Sequence, residues 1–153
     1  MPSAKQLAEI LEKAQERLQS LNQGYKGALT PQETFAVIKL ATNARLVDVR
    51  TRAEWEWVGR VPDAVEIEWK QSHNMETNPD FLVDLQKQVP KNAVLLFICR
   101  SGARSAQAAK AATMIGYGDC YNVLEGFEGD LDQAGHRGTI NGWKVAGLPW
   151  KQS

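Results

Sequence analysis

Residues 93–105 carry the clearest structural information in the chain and read Ala93-Val94-Leu95-Leu96-Phe97-Ile98-Cys99-Arg100-Ser101-Gly102-Ala103-Arg104-Ser105. Their first part, 93–98, is an uninterrupted apolar run, which is typical of a strand covered on both faces in a parallel sheet. The alanine-rich segment 105–115 that follows has the composition of a helix. A short polar loop therefore joins a buried strand to a helix, which is where ligands bind in open α/β sheets.

Similar alternation of strands and helices extends to both sides of this stretch. The predicted strands are 46–50, 64–67, 93–98 and 120–124, and the predicted helices are 31–41, 51–55, 78–89 and 105–115. Two of these helices begin with a capping box, Thr30-Pro31-Gln32-Glu33 and Thr51-Arg52-Ala53-Glu54. Strands that alternate with helices predict an α/β fold, a three-layer α/β/α domain with a mostly parallel central sheet of about five strands.

Both ends of the sequence are predicted to pack on this domain. Residues 1–24 form an amphipathic extension, a helix that closes near 22–24, and the domain itself spans 25–153. The helix either docks on the domain or binds a partner, and docking is favoured because an apolar stripe normally covers the nearest core. Its stripe consists of Leu7, Ile10, Leu11, Ala14, Leu18 and Leu21, and the apolar anchors of a wrapping tail are Phe127, Leu131, Ile140, Trp143, Leu148 and Trp150.

Composition narrows the classes of function. The chain of 153 residues has 18 basic and 18 acidic side chains, so no overall charge favours nucleic acid or an anionic membrane. Residues 1–21 contain no continuous apolar stretch, and we expect neither a signal peptide nor a membrane span there. Two cysteines without Cys-x-x-Cys or paired-histidine spacing predict no metal and no cofactor. A soluble protein of the reducing cytoplasm is the default expectation.

Cys99 is the candidate nucleophile. The loop amides and the helix N-terminus can direct N–H groups at its sulfur, and Gly102 permits the backbone angles that such a turn needs. Arg100 and Arg104 add positive charge, and together these groups favour the thiolate, which is the nucleophilic form. A lone cysteine at the end of an apolar strand is more often a small buried hydrophobe. Basic, hydroxyl and glycine neighbours argue against that alternative for Cys99, whereas Cys120 lacks basic neighbours and is predicted to be inert.

The motif C-R-S-G-x-R-S at 99–105 resembles the active-site loop of rhodanese-like single-domain sulfurtransferases. Leu46-Val47-Asp48-Val49-Arg50 is similar to the Asp-Val-Arg strand of that family, and Asn122-Val123-Leu124-Glu125-Gly126-Phe127 to its segment after the catalytic helix. The resemblance covers roughly residues 28 to 150, with the motifs in the family's order.

This resemblance implies a transferase that moves a sulfane sulfur in two steps through a persulfide on Cys99. The donor is thiosulfate or another small anionic persulfidic compound, and the acceptor is a thiol, cyanide or a protein. The implied binding residues are Arg100, Ser101, Gly102, Ala103, Arg104 and Ser105, with either arginine holding the anionic donor. Asp48 and Arg50 stand at the end of a strand, so we expect them to be supporting residues that brace the neighbouring loop through hydrogen bonds, an interpretation favoured over direct contact with substrate. The expected state is a monomer or, through the leading helix, a homodimer.

Some features depart from the family or fit other functions. Gly59-Arg60-Val61-Pro62-Asp63-Ala64 stands where the family often has Gly-His-Ile-Pro-Gly-Ala, so Arg60 and Trp69 are candidates for altering the pocket rim. A phosphatase or arsenate reductase of the Cys-x5-Arg type is one alternative, but Arg104 is only the fifth residue after Cys99. A non-catalytic binding module is another alternative. His73 and His136 are expected to be solvated, and the five tryptophans mostly core or tail anchors.

Overall fold

The computed structural model describes residues 2–19, 21 and 23–152. Five helices and five strands lie within these residues. They are α1 Pro2–Glu16, β1 Gly27–Leu29, α2 Pro31–Leu40, β2 Ala44–Asp48, α3 Arg52–Trp57, β3 Val65–Glu66, α4 Phe81–Gln88, β4 Val94–Ile98, α5 Ala103–Met114 and β5 Asp119–Val123.

The strands form one parallel sheet in the order β1-β5-β4-β2-β3, with β4 at its centre. Side chains of β4 alternate between two buried clusters, since Leu95 and Phe97 face one side and Leu96 and Ile98 the other. Helices α4 and α5 cover the first side; α1, α2 and the chain after β5 cover the second. The predicted three-layer α/β/α fold is therefore confirmed, and the full burial of β4 explains its continuous apolar sequence.

Both predicted capping boxes are formed. At the start of α2, the Glu33 N–H donates to Thr30 Oγ1 over 3.1 Å, and the Thr30 N–H donates to Glu33 Oε1 over 3.0 Å. Thr51 and Glu54 repeat this exchange at the start of α3. Each box satisfies two backbone donors that a helix N-terminus would otherwise leave unpaired.

Element boundaries differ from the predictions in several places. Strand β1 was not predicted, because three residues show no periodic pattern. It is closely packed: a Cβ on Gly27 would lie 2.8 Å from the backbone of Ala14 in α1. Helix α5 begins at Ala103, two residues before the predicted start at Ser105, since Gly102 takes a φ of 115° and turns the chain into the helix at once.

The leading helix docks on the domain. Leu7, Ile10, Leu11 and Ala14 pack against the cluster of α2 and β5. Arg17, just beyond α1, binds both carboxylate oxygens of Glu33 over 2.5 and 2.8 Å and donates to the carbonyl of Ala28 over 2.7 Å. The helix ends at Glu16, earlier than the predicted closure at 22–24, where Asn22 lies outside the described residues. Leu21 is exposed, so its assignment to the apolar stripe was wrong.

The tail after β5 wraps the domain through fewer apolar anchors than predicted. Phe127 and Trp143 are buried in the second cluster, but Leu131 and Ile140 are 54% and 56% exposed, and their prediction as anchors was wrong. Asp132 holds this segment instead through backbone and side-chain hydrogen bonds. Hydrogen bonds to Asp132 therefore hold this segment in place of the predicted apolar contacts of Leu131 and Ile140.

The histidines and tryptophans noted in the sequence differ in their exposure to solvent. His73 and His136 are exposed, as expected. Trp55 and Trp143 are buried, whereas Trp57 is 79% exposed and anchors nothing in the core. Among the helices that the structure describes, none combines the length and apolar character needed to cross a bilayer.

Candidate active site

Cys99 follows β4 directly and starts the four-residue loop 99–102 that leads into α5. Cys99 is only 1% exposed, yet it lines a cavity of about 290 Å³. The cavity is lined by Lys70, Met75, Cys99, Arg100, Ser101, Ala103 and Arg104. A small ligand that enters this cavity therefore reaches a sulfur shielded from bulk water.

Two groups contact the Cys99 sulfur directly. The Gly102 N–H donates to Sγ over 3.1 Å, and Ser105 Oγ lies 3.2 Å from it. The Ser105 hydroxyl also donates to Asn122 Oδ1 over 2.5 Å, while Asn122 Nδ2 donates to the carbonyl of Gly102 over 3.2 Å. Since a hydroxyl has one proton and two lone pairs, Ser105 can accept from a thiol while it donates to Asn122, and it can donate to a thiolate only by giving up its hydrogen bond to Asn122. The network thus accommodates both forms of the sulfur.

All seven residues of the predicted loop lie at this site. Five line the cavity, and the other two, Gly102 and Ser105, contact the sulfur. Sequence reasoning missed Lys70, Met75 and Asn122 as members of the site. The rule that sites lie beyond the carboxyl ends of parallel strands was a usable signal for Lys70, which lies in the connection after β3.

Arg104 does not extend freely into the cavity. Its guanidinium binds both carboxylate oxygens of Glu54, at the N-terminus of α3, over 2.7 and 2.9 Å. Burial would raise the pKa of the Glu54 carboxyl, but hydrogen bonds from Arg104 and Thr51 outweigh it and hold that pKa below its usual value. Of the two arginines considered for the donor, the exposed Arg100 makes no ion pair with any described residue.

Replacing Glu54 by glutamine is expected to lower the free energy of unfolding by about 1.5–3 kcal/mol at neutral pH, the usual range for hydrogen bonds to charged groups. The carboxyl has a depressed pKa in the folded state, so its contribution is complete above the pKa of the unfolded chain. It is lost as pH falls through the folded-state pKa. Urea unfolding of both proteins between neutral and acidic pH should show the two stabilities converging in acid. A difference that stays constant with pH would contradict this assignment.

Asp48 and Arg50 lie behind the loop and are both fully buried. Their ion pair spans 2.7 Å, and Arg50 Nη2 also donates to the carbonyl of Gly59 over 2.8 Å. The Arg50 guanidinium lies 4.1 Å from the ring centre of Phe127, whose N–H donates to the carbonyl of Cys99 over 2.8 Å. The pair is thus two contacts away from the nucleophile, a position suited to bracing and not to contact with substrate.

The chain after β5 holds the loop from the other side, which the sequence did not reveal. Beyond Phe127, the N–H groups of Glu128 and Gly129 both donate to the carbonyl of Arg100, over 3.0 and 3.2 Å. Gly126 fits closely here, since a Cβ at this position would lie 2.5 Å from the carbonyl carbon of Arg100. Backbone contacts of this kind carry no side-chain signature in a single sequence.

The remaining candidates lie away from the cavity. Cys120 is fully buried on β5, and burial raises the pKa of its thiol to about 11, which keeps it protonated. Trp69 packs edge-to-face on Phe81 and donates to Gln107, so it does not line the cavity. Arg60 pairs with Glu66. Across residues 2–19, 21 and 23–152, no three His, Cys, Asp or Glu side chains are grouped closely enough to hold a metal.

Comparison with known proteins assigns this chain to a family. Residues 34–132 match the model of the rhodanese-like domain. The chain belongs to the rhodanese-like family. A rhodanese-like assignment agrees with the motif at Cys99, with the Asp48–Arg50 strand and with the parallel five-stranded sheet.

Relatives of this rhodanese-like protein include uncharacterised proteins and a protein named sulfurtransferase. An uncharacterised Rickettsia conorii protein is 40% identical over 115 residues, which is 71% of this chain and 84% of that protein. A protein named sulfurtransferase from Allochromatium vinosum is 33% identical over 68% of this chain and 75% of its own length. The crystal structure of Rv0390 from M. tuberculosis is 42% identical and superposes with a TM-score of 0.78, covering 84% of this chain and 99% of that one.

Proposed function

We propose that this protein is a sulfurtransferase that carries a sulfane sulfur on Cys99. The observation that carries the proposal is the position of Cys99, which lines a cavity and whose sulfur lies 3.1 Å from the backbone nitrogen of Gly102. Donors fixed at this place stabilise a thiolate before reaction and an anionic persulfide after it. The family assignment and the sulfurtransferase relative support the same chemistry.

The first step transfers one sulfur atom to the protein. The Cys99 thiolate attacks the outer sulfur of thiosulfate, the S–S bond of the donor breaks, and sulfite leaves with the bonding electron pair. A persulfide donor, R–S–S⁻, reacts in the same way and releases R–S⁻. No proton changes hands in either case, so the step requires no general base.

The second step returns Cys99 to its thiolate form. An acceptor thiolate or cyanide attacks the terminal sulfur of the Cys99 persulfide, and the bond between the two sulfurs breaks. The products are a new persulfide or thiocyanate, and charge balances in both. Lys70 and Arg100 line the cavity and supply the positive charge for an anionic donor, because Arg104 is bound to Glu54.

Intact mass spectrometry of the purified protein, before and after incubation with thiosulfate, tests this proposal. A gain of one sulfur atom that maps to Cys99 and disappears on addition of cyanide is the expected result. No sulfur on Cys99 with thiosulfate or with any low-molecular-weight persulfide would overturn the proposal and favour a non-catalytic binding module. An assay with an aryl phosphate then addresses the phosphatase alternative.

A further inference from the structure

A second cavity continues the first one away from Cys99. It has a volume of about 390 Å³ and is lined by Thr51, Glu54, Val58, Met75, Arg100, Arg104, Glu128 and Arg137. Met75, Arg100 and Arg104 line both cavities, so the two adjoin across these side chains; together they are called the cleft below, with Cys99 in the first cavity and Glu128 and Arg137 in the second. Thiosulfate, which has five heavy atoms, fills only a small part of such a cleft.

The far end is built by the tail in a fixed shape. The Asp132 carboxylate accepts from the backbone N–H groups of Ala134 and His136, both over 2.9 Å, and from the Thr139 hydroxyl over 2.7 Å. The backbone N–H of Gly138 donates to the carbonyl of Glu128 over 2.8 Å, which closes the loop that carries Arg137. This loop is therefore ordered by its own hydrogen bonds before any ligand arrives, which lowers the cost of binding.

Neither charged side chain at the far end forms an ion pair with a residue that the structure describes. Arg137 uses Nη1 to hold the carbonyl of Gly129 over 2.7 Å, and no described acidic group lies within ion-pair distance of it. The Glu128 side chain likewise makes neither a hydrogen bond nor an ion pair with the residues that the structure covers. A guanidinium and a carboxylate that stay separate at one end of a cleft match a ligand with an anionic and a cationic group.

We propose that this end of the cleft binds the amino-acid part of a low-molecular-weight persulfide, with its carboxylate on Arg137 and its ammonium on Glu128. The inference rests on the proposed function, because the persulfide sulfur of the same ligand then reaches Cys99 through the shared part of the cleft. Arg137 lies beyond residues 34–132, which match the family model. The residue is therefore a specificity determinant that the family assignment does not supply.

The test compares two donors that differ only in their carboxylates, glutathione persulfide and the persulfide of glutathione diethyl ester. Their kcat/KM values are measured with cyanide as the common acceptor, and their ratio is the readout. In the original protein the ratio is expected to be about ten or more in favour of the free acid, the worth of a charge-assisted hydrogen bond. In Arg137→Gln it should fall to about one, and Arg137→Lys should keep part of the preference because lysine retains the charge.

Arg45→Gln is the matched control, since Arg45 is exposed near the amino end of β2, the end of the sheet remote from the Cys99 loop, and should keep the original ratio. Glu128→Gln should weaken the preference for glutathione persulfide over its N-acetylated form. A ratio near one in the original protein, or an unchanged ratio in Arg137→Gln, overturns the inference while sulfur loading by either donor leaves the proposed function intact. If neither persulfide nor thiosulfate loads Cys99, both proposals fail together.

Discussion

Replacing Cys99 by serine is expected to reduce sulfur transfer by about 10³-fold or more, because loss of a nucleophile removes the covalent route altogether. A serine hydroxyl stays protonated at neutral pH and forms no persulfide. The fold should persist, since serine is close to cysteine in size and its hydroxyl can replace the sulfur as an acceptor for the Gly102 N–H. Steady-state transfer from thiosulfate to cyanide, together with thermal unfolding, measures both expectations.

Cys120→Ser provides the matched control for this prediction. Cys120 is also buried but lies on β5 outside the cavity, so the variant should retain sulfur transfer even if its stability falls. The mass gain after incubation with thiosulfate should likewise persist in Cys120→Ser and vanish in Cys99→Ser. Substantial turnover in Cys99→Ser, or loss of sulfur loading in Cys120→Ser, would show that the mechanism is wrong.

Replacing Asp48 by asparagine is expected to lower the free energy of unfolding by about 3–5 kcal/mol, because the Arg50 charge then stays buried without a counter-ion. Both side chains are completely buried and joined over 2.7 Å. Because Arg50 also contacts Phe127, which holds the backbone of Cys99, transfer activity should fall along with stability. Urea unfolding followed by tryptophan fluorescence measures the change.

Two comparison variants separate the effect of burial on stability from the effect of charge. Lys26→Gln breaks an ion pair with Asp119 whose side chains are 39% and 38% exposed, and should cost only about 0–1 kcal/mol. The double change Asp48→Leu with Arg50→Met removes both buried charges and should recover much of the stability lost in Asp48→Asn. An Asp48→Asn loss as small as that of Lys26→Gln would refute the bracing role of the pair.

Local signals in the sequence predicted the centre of the molecule well. The apolar run before Cys99 identified β4, the two capping boxes identified the starts of α2 and α3, and Gly102 marked the turn into α5. Each of these depends on residues within about four positions of one another, the range over which capping and turn chemistry operate. The loop around Cys99 was predictable for the same reason.

Features that depend on distant residues were not predictable from the same signals. Arg104 and Glu54 are 50 positions apart in the chain, so nothing local shows that one neutralises the other. Lys70 and Met75 reach the cavity at Cys99 from the connection between β3 and α4, and Arg137 reaches the adjoining cavity from the tail. Leu131 and Ile140 were misjudged because apolar character alone does not reveal that a carboxylate, Asp132, orders their segment.

The order of strands in the sheet determines when each part of the fold can form during synthesis of the chain. The first strand, β1, pairs with β5 alone, so this pairing cannot be completed until residue 123 has emerged from the ribosome. The hydrogen bonds that hold the Cys99 loop form later still, because its carbonyls accept from the amides of residues 127–129. Pairings between such distant segments form slowly and late. The backbone around Cys99 therefore reaches its finished arrangement only after residue 129 has been synthesised, about 30 residues after the cysteine itself.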